Sequence, residues 1–153
     1  NKIRFRSRKS ANSALVRMRY GQVVLGPPGS GKSTYCTVLQ KYYAASDRKC
    51  IVVNLDPAND NIRKNVLGVE CRYDCAINIT ELITLEDAMT EYGLGPNGGL
   101  LFCMEFLLKN LEWLFTRLDE HQVGTIVGVN RDAYILFDFP GQVELFTAND
   151  NIK

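Results

Sequence analysis

"GPPGSGKST", residues 26–34, sits between a short apolar run, Gly21–Leu25, and a stretch with apolar residues at helical spacing. Gly26-Pro27-Pro28-Gly29-Ser30-Gly31-Lys32-Ser33 satisfies G-x-x-x-x-G-K-[ST], and Thr34 continues it. The order strand, glycine-rich loop, helix is the one this motif needs. Its glycines let backbone N–H groups curl around phosphate oxygens, and the following helix adds the positive end of its dipole. In this pattern Lys32 reaches the β- and γ-phosphates and Ser33 holds Mg²⁺. The alternative, a glycine-rich turn with no ligand, does not account for the lysine and hydroxyl at these positions.

Working outward, Lys32–Ala45 predicts a helix, with Tyr35, Val38, Leu39 and Tyr42 as its buried stripe. After the polar break at residues 46–49, Cys50–Leu55 is a β-branched run, short enough for a fully buried parallel strand. The result is a βαβ unit with a right-handed crossover. Asp56 stands at the end of that second strand, where an α/β sheet faces its ligand crevice. It suits Mg²⁺ binding or water positioning, or else capping of the turn before Pro57. Ala133–Phe137 is a third apolar run and ends in Asp138-Phe139-Pro140-Gly141-Gln142. An aspartate at a strand end is what a P-loop enzyme uses to hold magnesium or its water shell. In D-x-x-G, Gly141 brings a backbone N–H towards a γ-phosphate. Gln142 is placed to orient an attacking water, with Glu144 close enough to assist.

Between the second and third strands, residues 59–74 lack periodicity and read as loop. Thr84 begins a helix with acids in its first turn, and Gly93 supplies a left-handed cap. "GPNGG", residues 95–99, then precedes one long helix, expected from about Gly99 to Leu118, with a wide leucine-rich face. Read alone, the turn is punctuation between helices, with Asn97 near the cap.

The 153 residues suffice for one domain, read as residues 18–153 preceded by a disordered extension, 1–17. That extension is rich in Arg and Ser and free of acid, which also suits a transit peptide. Residues 1–20 carry seven Lys/Arg; the rest carry eleven basic and seventeen acidic groups, a balance of −6. No whole-protein basic field for nucleic acid exists, and no apolar run is long enough to span a membrane. Cys36, Cys50, Cys71, Cys75 and Cys103 read as reduced thiols of a cytosolic protein. Cys71 and Cys75 read as ordinary loop thiols, since the single histidine, His121, is too distant in sequence to complete a zinc site.

Four blocks, "GPPGSGKSTYC", "VVNLDPAND", "LGPNGGLLFCMEF" and "YILFDFPGQVELFT", together resemble the GPN-loop GTPases, in the family's order and over roughly residues 18–147. "GPPGSGKST" with "NLDPAND" resembles the GPN-loop GTPase 2 branch most. The resemblance implies an α/β P-loop NTPase, a three-layer sandwich with a parallel sheet between helices. It implies a GTPase using Mg²⁺ and GTP, acting as a homodimer or as a heterodimer with a related GPN-loop GTPase. It further implies a role in assembly and nuclear import of RNA polymerase II and III, hence polymerase subunits or assembly factors as partners, in a cytoplasmic protein that shuttles to the nucleus. Ser33 and Asp138 would serve the metal; Asp56, Gln142 and Glu144 would serve the metal and the water network. Gly95, Pro96 and Asn97 would reach the partner's nucleotide, where the Asn97 amide stabilises developing charge.

The sequence departs from that pattern in places. Residues 62–72 and 122–130 look like additions, and both could be errors of the gene model, such as retained introns. Asn78 stands where the family usually has aspartate, and Phe139 where it often has cysteine. No [NT]-K-x-D guanine-reading motif occurs, and only three strands can be counted. The expectation is therefore an incomplete sheet with phosphate and magnesium chemistry but no base recognition. Two other readings stay open: an ATP-dependent, nucleotide-kinase-like enzyme, and a non-catalytic dimerisation fragment.

Overall fold

A computed structural model describes residues 2–5, 19–59, 73–122 and 133–142. The two segments that look like additions fall almost wholly outside them, as does Glu144. Strand β1 is Lys2–Phe5 and β2 is Arg19–Val24. Helix α1 spans Lys32–Ala45 and β3 spans Cys50–Asn54. Strand β4, Cys75–Asn78, leads through a 3₁₀ turn to α2, Leu85–Tyr92. Helices α3, Pro96–Lys109, and α4, Leu111–Gln122, precede β5, Tyr134–Asp138. The sheet order is β1-β2-β5-β3-β4. Its last four strands pair in parallel, and β1 joins the edge antiparallel to β2.

The sheet thus has five strands where three were expected, and two expectations need correction. Lys2–Phe5 pairs with β2, so the basic extension is not disordered throughout. Cys75 begins β4 instead of lying in a loop. "CAIN" is hard to read as a strand because it is only four residues long, does not alternate, and its pairing partner lies more than twenty residues back in β3.

Helix α1 packs on one face of the sheet, where Cys36, Val52, Tyr73 and Leu136 form a small buried cluster. The other face meets α2, α3 and α4 in the main core, built from Ile51, Val53, Ile77, Leu100, Met104, Leu107, Ile135 and Phe137 among others. This is the three-layer arrangement that the family resemblance implied. The face that α1 buries differs from the expected one. Tyr35, Val38 and Tyr42 are exposed. Of the expected stripe Leu39 alone turns to the sheet, beside Cys36 and Tyr43, the last stacking on Tyr134. Both stripes have helical spacing, so periodicity could not choose between them; the tyrosines weighted the wrong one.

The long helix is also two helices. At Asn110 the backbone leaves helical geometry, and the Asn110 side-chain amide donates to the Phe106 carbonyl at 2.8 Å. A side chain that caps a carbonyl from inside the pattern ends the helix without a glycine or proline to announce it. Helix α2 ends as expected, with Thr84 accepting from the Asp87 N–H and Gly93 left-handed at φ 61°. Gly99 lets α3 approach α2. A Cβ there would lie 2.8 Å from Leu85 Cδ1 and 2.9 Å from Met89 Cγ. Gly99→Leu is accordingly expected to destabilise the fold by about 2 kcal/mol through overpacking, read from the urea midpoint. An unchanged midpoint would show that α2 can give way.

Candidate functional site

The register aligns the carboxyl ends of the parallel strands. Val24 pairs with Asp138, Asp138 with Asn54, and Asn54 with Asn78. Three of these four are polar, and two, Asn54 and Asp138, are fully buried. They are held by hydrogen bonds. Asn54 Nδ2 donates to Asn78 Oδ1 and to the Asp56 carbonyl, both at 3.0 Å. Asn78 Oδ1 also accepts from the Thr80 N–H, capping the 3₁₀ turn. An aspartate at 78 could accept the same two bonds, so the departure at this position keeps the local geometry.

Above this row lies a cavity of about 460 Å³, lined by Pro28, Gly29, Gly31, Lys32, Ser33 and Thr34 of the loop and by Asp56, Pro140, Gly141 and Gln142. That volume falls in the range of small-molecule sites. The phosphate loop has the backbone its glycines were chosen for: φ is +76° at Gly29 and +88° at Gly31. A Cβ on Gly26 would meet Ser30 Oγ at 2.6 Å, so the loop's base is tight. Helix α1 has no side-chain cap and no acid in its first turn. Its leading N–H groups therefore point, unsatisfied by side chains, at the mouth of the loop. Among the described residues, Lys32 Nζ makes only a long 3.4 Å contact with the Pro27 carbonyl. Gly141 comes so close that a Cβ would sit 2.8 Å from both Lys32 Nζ and the Pro28 nitrogen. The D-x-x-G segment and the phosphate loop thus meet over one small volume, although more than a hundred residues separate them.

Asp138 forms the floor. Its Oδ2 accepts from Ser33 Oγ at 2.9 Å and from the Tyr73 hydroxyl at 2.9 Å. Its Oδ1 is buried and has no hydrogen-bond partner among the described residues. A buried carboxylate oxygen with no donor is costly. A divalent cation beside it would remove that cost, and Ser33, Asp138, phosphate oxygens and water are the hard oxygen donors that Mg²⁺ takes. The donor set fits the metal expected from the sequence. No cluster of three or more His, Cys, Asp or Glu that could hold a metal by itself occurs among the described residues.

Asp56 faces the cavity, and it also caps its own turn: its Oδ1 accepts from the Ala58 N–H at 3.0 Å. The turn-capping reading is thus observed, and the metal or water role has the position it would need. Gln142 lines the cavity, while Glu144 lies outside the described residues. Gly95, Pro96 and Asn97 are exposed and do not line this cavity. Gly95 is the N-cap of α3 without a side-chain bond, and Pro96 takes the first helical position.

Tyr73 is the site residue that the sequence did not reveal. It follows a stretch without periodicity, and its partner Asp138 is 65 residues away. Burial, then the charge of Asp138, push the Tyr73 phenol far above its ordinary range, so it stays a donor. The thiols sit out of the chemistry. Cys36 is pushed up to about 12 by burial and by Asp138, and burial raises Cys50, Cys75 and Cys103 to about 11. All four are free.

A family described as conserved hypothetical ATP-binding proteins matches residues 24–153. The GPN-loop GTPase QQT1 of Arabidopsis thaliana is 51% identical over 136 residues, which are 89% of this chain and 40% of that protein. GPN-loop GTPase 2 of Danio rerio is 47% identical over 136 residues, 89% of this chain and 38% of the relative. GPN-loop GTPase 3 of Kluyveromyces lactis is 44% identical over 129 residues, 84% and 41%. A GTPase of Pyrococcus abyssi, solved in its apo form, superposes with a TM-score of 0.59 at 30% identity, over 86% of this chain and 46% of that one. The chain spans about 40% of the length of the curated relatives it matches. No helix among the described residues is long and apolar enough to cross a membrane. With the phosphate loop, the strand-end aspartate and the glycine that closes over them in one cavity, and with relatives of this name covering most of the sequence, this chain belongs to the GPN-loop GTPase family.

Proposed function

We propose that this chain carries the triphosphate- and magnesium-binding part of a GTP-hydrolysing site. The observation that carries the proposal is the meeting of Gly141, Lys32 and the uncapped start of α1 above the Ser33–Asp138 pair. Lys32 and the loop N–H groups bind the β- and γ-phosphates. Ser33 and Asp138 would hold Mg²⁺, which would supply neutralisation of the phosphate charge. The Gly141 N–H lies beside the γ-phosphate, and Gln142, on the cavity wall, orients the attacking water. The catalysis is positioning and electrostatic stabilisation, because phosphoryl transfer leaves little covalent chemistry to the protein.

The Gly95-Pro96-Asn97 loop acts in trans in this proposal, on the nucleotide of a second copy or of a related GPN-loop GTPase. Its exposure and its helix start without a side-chain cap support that role. The cellular setting that the family resemblance implies, assembly and nuclear import of RNA polymerase II and III, belongs to the same proposal. The relatives' names specify GTP and the family description ATP. Phosphate release from Mg-GTP and Mg-ATP, followed against chain concentration, tests the reading. A specific rate that rises with concentration for GTP, and falls about tenfold in Asn97→Ala, is expected. A rate per chain independent of concentration would remove the trans loop; turnover of ATP alone would replace the substrate.

A further inference from the structure

We infer that Tyr73 is a positioning residue for the magnesium site, acting through Asp138. The inference rests on the nucleotide reading above and deepens it. Asp138 has two carboxylate oxygens in a buried setting, and both known donors, Ser33 and Tyr73, converge on Oδ2. Oδ1 is thereby left without a partner among the described residues. Two hydroxyls on one oxygen fix the rotation of the carboxylate, so one oxygen is anchored in protein and the other is kept for an incoming cation. Ser33 belongs to the phosphate loop and lines the cavity, so an entering nucleotide would change its surroundings. Tyr73 does not line the cavity. Its ring is wedged with Cys36, Val52 and Leu136 between α1 and the sheet, which makes it the donor that stays in place.

The same hydroxyl lies 3.4 Å from Asn54 Oδ1 and 3.5 Å from Asn59 Nδ2. These are long contacts, too weak to matter singly. Asn59, however, lines the cavity, and the Asn54 carboxamide braces Asp56 by accepting from its N–H at 3.2 Å. Tyr73 thus sits where the metal aspartate and the loop after β3 come together. A buried tyrosine hydroxyl needs a partner, and here that partner is the same carboxylate oxygen that Ser33 binds.

Tyr73→Phe keeps the ring and removes the donor. The test is binding of a fluorescent, non-hydrolysable GTP analogue to the whole chain, titrated with Mg²⁺ and repeated in excess EDTA. The Mg²⁺ concentration for half-maximal tightening should rise about tenfold, as loss of a group that orients a metal ligand does. Affinity in EDTA should stay within about twofold, since the phosphate contacts are untouched. Should the Phe variant not fold, Tyr73→Met fills the same pocket without a donor and should give the same shift. An unchanged Mg²⁺ midpoint, or an equal loss of affinity with and without EDTA, would overturn the inference and leave Tyr73 a packing residue. Failure of the unaltered chain to bind the analogue in a Mg²⁺-dependent way would overturn the nucleotide reading, and this inference with it.

Discussion

Lys32→Ala is expected to weaken binding of a GTP analogue by about 100-fold while leaving thermal stability nearly unchanged. The ammonium is part-exposed and makes one long contact with the Pro27 carbonyl, so the fold does not depend on it. Its value lies in what it meets when a triphosphate enters: charge-assisted hydrogen bonds to two phosphates in a partly enclosed site, about 1.5–3 kcal/mol each. The helix dipole and loop N–H groups remain, which is why some affinity should survive. Equal affinity in the variant would mean that phosphate does not enter the loop. A collapse of stability would mean that the lysine holds the fold in a way its contacts do not show.

Asp138→Asn should move stability and function in opposite directions. Without metal, the carboxylate is a fully buried charge with one oxygen satisfied twice and the other not at all. An asparagine oxygen can accept from the same two hydroxyls, and the amide removes the uncompensated charge. The apo chain should gain about 1 kcal/mol, read from thermal or urea unfolding. The Mg²⁺ dependence of nucleotide binding should disappear, because the anionic ligand is gone. Such a trade is common where a site is built at the expense of the fold that carries it. A variant that lost stability as well would show that the buried carboxylate is compensated by something beyond Ser33 and Tyr73.

What could be read from the sequence follows from range. The phosphate loop, the caps of α2 and the strand-end positions of Asp56 and Asp138 are local patterns, set by neighbours a few residues apart. Each of these elements appears where it was expected. Helix α1 also begins and ends as read, yet its buried face was misjudged. Leu39 faces inward as expected, but Cys36 and Tyr43 take the places beside it in preference to Tyr35, Val38 and Tyr42, a choice that only the sheet beneath decides. The break at Asn110 hid inside an unbroken leucine pattern, because it depends on one side chain folding back on its own helix. Strand β4 and Tyr73 are long-range facts. The first exists by pairing with β3, and the second has meaning only beside Asp138. Gly141 shows the intermediate case: its identity was legible from D-x-x-G, but the 2.8 Å approach to Lys32 and Pro28 that requires a glycine was not.

The most direct test of the phosphate and magnesium site is calorimetric titration of the chain with non-hydrolysable GTP and ATP analogues in Mg²⁺, beside Lys32→Ala. The expected result is one site per chain, weakened about 100-fold in the variant, with the two analogues bound within about tenfold of each other, because the contacts available are to phosphate and metal. Absence of binding, or binding that Lys32→Ala leaves intact, would contradict the account.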